Sequence, residues 1–247
     1  MSELKNTSSL PAEVQSIFIP FLSRLIKAIE EDILSVFIYG SASGENFIPK
    51  VSDINSAIVL RTAGLELLEK ILKITMTIHN KRIIAPLVLT KQHISSSLDV
   101  FPIEFLEMKD NYVVLFGEDP LESIVVETHH ARLFCEQQLK GKLIRIRQGY
   151  LESRDKKSVI EILLKDSLNT LIPVFRTILR LKSIKPPVDK GEVLNVMGKT
   201  FDVKTDAMAL IWKDKKNDET ISGRDVKDVF GRYIQELEDL ASKVDQL

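Results

Sequence analysis

The stretch that decides the reading runs from Tyr39 to Leu60, "YGSASGENFIPKVSDINSAIVL". The residues leading into it, "SVFIYG" (35–40), form a short apolar, β-rich run ending in glycine, which predicts a buried strand. A second strand is predicted over "SDINSAIVLR", 52–61. Eleven residues separate Ser41 from Asp53, enough to finish a turn, cross a loop containing Gly44 and Pro49, and enter a neighbouring strand. A strand that delivers the chain into Gly40 and Ser41 at the start of a short helix offers backbone amides and a hydroxyl to the oxygens of a phosphate. Gly40 lets the backbone approach closely because it has no side chain. Along the second strand Asp53 and Asn55 share a face, since side chains alternate with period two. Two oxygen donors beside a phosphate cradle suit Mg²⁺, which uses one or two carboxylates together with substrate phosphates. An ordinary strand-to-helix turn with a capping serine has the same local sequence. The register of Asp53 is what favours the phosphate turn over it.

Outward from this stretch, "SSLPAEVQSIFIPFLSRLIKAIEEDI" (8–33) predicts a first helix, capped by Ser8 or Ser9 and kinked or divided at Pro20. "GLELLEKILKITMTIHN" (64–80) predicts a second helix. "RIIAPLVLT" (82–90) predicts a third strand, with Pro86 favouring a sheet edge. "FPIEFLEMKDN" (101–111) and "YVVLFGED" (112–119) complete the strand candidates. Beyond Thr128 the β-type alternation stops. Long amphipathic helices are expected at 129–154 and 158–183, shorter ones at 189–201 and 204–214, and a closing helix over 223–247. The expected fold class is α+β: a small mixed-sheet domain over 1–127 followed by an all-α helical bundle over 128–247.

The chain has 247 residues, with 34 Lys plus Arg against 35 Asp plus Glu. That balance argues against a protein holding long nucleic acid, whose affinity comes from neutralising many phosphates. A nucleotide needs only a few local donors. One cysteine, Cys135, excludes a disulfide framework and a cysteine-rich zinc site, and it reads as a small core residue. The four histidines form no HExxH pair; His79 and His93 read as surface residues, and Trp212 and Phe134 as core. The run Lys140, Lys142, Arg145, Arg147 reads as a solvated helix face. No signal peptide and no membrane span are expected, so a cytoplasmic location is the default.

The "GSASG…SDIN" pattern, in its strand–GS–loop–SDxN–strand order, resembles the GS-x-D-x-D signature of the nucleotidyltransferase superfamily, the fold of DNA polymerase beta and kanamycin nucleotidyltransferase. The resemblance covers about the first half of the chain; the second half matches only in being helical. It implies that Gly40 and Ser41 hold the terminal phosphates of a nucleoside triphosphate and that Asp53 is the first metal-binding acid. Asn55 stands where the family has its second acid, so a weak or single Mg²⁺ site is implied, shared by Asp53 and Asn55. Family members add a third acid from a later strand. The strand where minimal members carry it reads "RIIAPLVLT", without an acid, so Glu104 becomes the candidate third ligand or general base, with Asp99 and Glu107 behind it. A solvent-facing strand residue explains Glu104 equally.

Two functions fit. One is Mg²⁺-dependent transfer of a nucleoside monophosphate from a nucleoside triphosphate to a hydroxyl on a small molecule or protein. The other is a catalytically degenerate member acting as a nucleotide-sensing or protein-interaction module. The long apolar helices of the second half offer a surface for a homodimer.

Overall fold

The computed structural model describes residues 4–77, 82–216, 221 and 225–247. The chain divides into two compact units, Met1–Val126 and Glu127–Leu247. The architecture is α+β: a mixed sheet with helices in the first unit and, among the described residues, helices alone in the second.

The sheet of the first unit is built from β1 (Ile33–Tyr39), β2 (Asn55–Leu60), β3 (Leu87–Thr90) and β4 (Tyr112–Gly117), in the order β3-β2-β1-β4. β1 runs antiparallel to both β2 and β4, whereas β2 and β3 are parallel. A parallel pair needs a crossover connection, which α2 (Leu65–Thr75) supplies. Helix α1 (Ala12–Ile29) precedes the sheet. α3 (Lys91–Ser96) and α4 (Pro102–Asp110) lie between β3 and β4.

Both faces of the sheet are covered. Phe18, Leu22 and Leu25 of α1 and Ile71 of α2 share one apolar cluster with Val36, Ile38, Ile58 and Leu115. Ile94 of α3 and Phe105 and Met108 of α4 share another with Phe37, Ala57, Val59 and Val114. Strands buried on both sides read as continuous apolar runs rather than alternating ones. This is why "SVFIY" and "SAIVL" stood out in the sequence. β4 closes on Gly117 at φ +76°, where a Cβ would lie 2.0 Å from the Leu34 carbonyl oxygen, so only glycine fits that end of the strand.

Three expectations need correction. "FPIEFLEMKDN" is not a strand: Pro102–Asp110 is α4, with Pro at the start and Pro102, Ile103, Phe105 and Met108 buried. Proline fits the first helical turn, where its missing N–H has no partner in any case. The regular strand within "RIIAPLVLT" is only Leu87–Thr90, joined upstream by an isolated bridge between Ile83 and Ile54. β3 is an edge strand, which suits Pro86 just ahead of it. Finally, α1 starts at Ala12 with Pro11 at its N-cap, Ser8 and Ser9 lying in a separate 3₁₀ turn, and it runs unbroken through Pro20. Pro20 and Ser16 are both exposed, so the carbonyl of Ser16 that loses its helical partner faces water. His79 lies outside the described residues.

The second unit consists of α5 (Thr128–Glu152), α6 (Lys157–Leu181), α7 (Lys190–Phe201), α8 (Asp206–Lys215) and α9 (Val226–Asp245). α5 packs against α6 and α9, and α8 against α6, α7 and α9. Residues 131, 135, 139, 143 and 146 of α5 form its buried stripe. Cys135 is fully buried within it, and burial pushes its thiol up to about 12, which leaves it protonated and unreactive near neutral pH. Two buried polar contacts join the helices. The Tyr233 and Ser167 hydroxyls lie 2.9 Å apart, and the Glu236 carboxylate accepts the Ala207 and Met208 amides at 2.7 and 3.0 Å. Trp212 and Phe134 are only half-buried rather than core. The Trp212 ring is flanked by Lys190 and Lys216 at 5.4 and 5.3 Å, a cation–π arrangement that the spacing of apolar residues does not reveal. In the basic run of α5, Lys140 pairs with Glu136, Lys142 donates to Thr170, and Arg147 pairs with Glu238. These partners all lie within the unit. Among the described residues, no helix is long and apolar enough to cross a membrane.

Candidate functional site

The Gly40 turn and the Asp53 segment meet at one end of the sheet. Tyr39, the last residue of β1, pairs with Asn55, the first of β2. Gly40 follows at φ +75°, and a Cβ built there would lie 3.9 Å from Asn55 Nδ2. The Asn55 side chain therefore sits beside the bend. Ile54, held by Ile54 N–H to Arg82 O at 2.7 Å and Ile84 N–H to Ile54 O at 3.2 Å, points into the core shared with α1. Alternation then turns Asn55, the first residue of β2, to the other face, the one on which Ala57 and Val59 meet α3 and α4, whereas Asp53 lies two residues before the regular strand rather than on it. Asp53 is exposed and Asn55 half-buried.

The turn itself is a single 3₁₀ segment, Gly40–Ser43, rather than the start of an α-helix. Gly40 N–H is already given to Asn111 O at 2.8 Å, and Gly44 N–H goes to Ser41 O at 3.4 Å. Ser43 Oγ donates to Gly40 O at 2.7 Å. In a 3₁₀ segment the amides from the third residue onward bond internally. The outward donors that remain are the amide and hydroxyl of Ser41. The expected cradle of several amides is thus reduced to Ser41, with Gly40 contributing shape. Gly40→Ala meets no steric obstacle but keeps the left-handed backbone, so a loss of about 1–2 kcal/mol is expected in a denaturant titration.

Glu104 does not join this site on a strand. It lies in the first turn of α4 and is exposed, while its neighbours Ile103 and Phe105 face the core. Asp99 is exposed in the turn before α4, and Glu107 lies on α4. Among the described residues, no three His, Cys, Asp or Glu side chains come together closely enough to hold a metal ion. Beside β2, the parallel strand offers Leu87 opposite Ala57, and both Ile84 and Leu87 are exposed apolar residues. The donor set therefore fits one divalent cation on a single carboxylate plus ligand oxygens, and does not fit a two-metal centre.

Sequence reasoning missed a cleft of about 360 Å³ on the other side of the turn. It is lined by Gly40, Ser43, Gly44, Glu45, Asn46 and the run Lys109–Tyr112. Lys109 Nζ is committed to Ile124 O at 2.7 Å and Glu122 O at 3.1 Å, so it braces the loop after β4. Glu45 and Asp110 add negative charge, which favours a polar or cationic group here over a triphosphate. Nearby, Tyr112 donates to Asp119 at 2.8 Å; burial first, then the Asp119 carboxylate, pushes its phenol up to about 12.

No family model and no curated protein matches the sequence. Among solved structures, the chain is similar to the spectinomycin adenyltransferase AAD(9) from Enterococcus faecialis, crystallised with ATP and spectinomycin. The TM-score is 0.52 at 14% sequence identity, covering 92% of this chain and 98% of that one. The fold is nucleotidyltransferase-like. On that fold, the sheet end carrying the Gly-Ser turn beside Asn55 at the start of β2, with Asp53 just ahead of it, is the candidate functional site.

Proposed function

We propose that this nucleotidyltransferase-like chain binds a nucleoside triphosphate at the Gly40 turn and works as a nucleotide-responsive interaction module rather than as a two-metal transferase. The observation carrying this reading is the donor set. Asn55, beside the turn, stands where the resemblance calls for a second acid, Asp53 lies two residues ahead of it, Glu45 and Asp110 line the cleft by the turn, and β3 beside β2 carries Leu87 rather than a third acid. Ser41 would donate to a phosphate oxygen. Asn55 would do the same through its amide nitrogen, where a carboxylate would repel the phosphates unless a cation lay between them. Mg²⁺, when bound, would sit on Asp53 and phosphate oxygens and supply charge neutralisation only.

Mg²⁺-dependent transfer of a nucleoside monophosphate to a hydroxyl on a small molecule or protein is the second reading. It is favoured by the exposure of Asp53 two residues ahead of Asn55, and by likeness to a protein crystallised with ATP. Calorimetric titration of ATP with and without Mg²⁺, alongside an assay of pyrophosphate release, separates the two. Binding that Mg²⁺ changes by less than about tenfold, about 1.4 kcal/mol, with no pyrophosphate above background, is the expected result. Sustained Mg²⁺-dependent pyrophosphate release would favour the second reading, and no heat in either titration would remove the nucleotide from both.

A further inference from the structure

Helix α2 is apolar on two sides. Leu67 and Ile71 face the core, as any crossover helix requires. A second stripe, Leu65, Leu68, Leu72 and Met76, faces outward at spacings of three and four, with exposures of 73%, 39%, 56% and 74%. Isolated exposed leucines are common, but a continuous helical stripe of this kind marks a contact surface. The spacing is that of a helix–helix seam.

The charges beside the stripe indicate its occupant. On the helical wheel Glu69 and Lys73 border it on one side, and both are exposed. Further round, Glu66 and Lys70 neutralise each other across 2.9 Å. Acid precedes base along the helix, so the edge is complementary to its own reverse. Two copies of α2 placed antiparallel about a two-fold axis near residues 70–71 set Glu69 of each against Lys73 of the other. The same axis sets Leu68 against Leu72 and Leu65 against Met76. One axis therefore satisfies both the apolar seam and the charges, the condition for an isologous contact.

We propose that α2 is a homodimer surface, occupied by α2 of a second copy of this chain in antiparallel orientation. Four apolar side chains per copy make a small interface, at or below the roughly 1,000 Å² expected of a specific one. The dimer is accordingly weak, with a dissociation constant on the order of 10–100 μM.

Sedimentation equilibrium over roughly 5–500 μM tests this, spanning that constant on both sides. The wild-type mass is expected to rise from monomer toward dimer across the range. Leu68→Glu combined with Leu72→Glu is expected to stay monomeric throughout with an unchanged melting temperature, because both side chains are exposed. Glu69→Lys alone and Lys73→Glu alone should each weaken dimerisation about tenfold through two repulsive contacts, and the double exchange should restore it. A wild-type chain that is monomeric at every concentration overturns the proposal. So does a dimer untouched by the double leucine variant, or a failure of the double exchange to rescue.

Discussion

Glu236→Ala is expected to lower the stability of the helical unit by about 3 kcal/mol. The side chain is 4% exposed, and its carboxylate accepts the first-turn amides of Ala207 and Met208 at the start of α8. Leaving a buried donor without an acceptor costs about 1–3 kcal/mol, and the substitution orphans two such amides. Urea denaturation followed by far-ultraviolet circular dichroism measures the sum. A loss below about 1 kcal/mol would mean that water replaces the carboxylate at little cost. The same residue gives a pH signature. Burial holds the Glu236 carboxyl above its ordinary 4.5, against the opposing pull of the two amides. An acid whose folded value is raised binds more protons folded than unfolded. Its contribution to stability is fully present below 4.5 and is lost as pH rises through the folded value. Relative to Glu236→Gln, the wild type is therefore expected to gain stability as pH falls from 7 toward 4.5, with the difference levelling off below that. A difference that is flat across this range would contradict the assigned direction.

Asn55→Asp is expected to raise affinity for ATP in the presence of Mg²⁺ by at least about tenfold, or 1.4 kcal/mol. It should weaken binding when Mg²⁺ is absent. A second carboxylate beside Asp53 gives the cation a doubly charged seat, while without the cation it faces the phosphates as a like charge. The sign reversal with Mg²⁺ is the informative part, since a merely structural effect would move both titrations the same way. Equal affinities for variant and wild type under both conditions would place Asn55 outside the ligand's reach.

What was legible in the sequence followed from patterns with few competing explanations. β1 and β2 read as apolar runs because the sheet is covered on both faces, but the expected strand over 52–61 begins only at Asn55, so Asp53 falls ahead of it. α4 was misread because Ile103 and Phe105 alternate with Glu104 like a half-buried strand. Pro102 at the helix start and Met108 further along carried the helical signal. The cleft beside Gly40 was not readable locally. Its walls come from residues 40–46 and 109–112, brought together only because β4 returns alongside β1. The use of the Gly40 amide by Asn111 has the same origin. In the helical unit, the approach of Lys190 to Trp212 depends likewise on a non-local contact, the packing of α7 against α8.

The central claim is that the Gly40 turn and the Asp53–Asn55 segment form one nucleotide-binding surface. Backbone amide chemical-shift mapping of the ¹⁵N-labelled chain during titration with ATP tests it most directly. Saturable shifts concentrated at residues 40–44 and 53–55 are the predicted result. Shifts confined to other parts of the chain, or none at millimolar ATP, would contradict it.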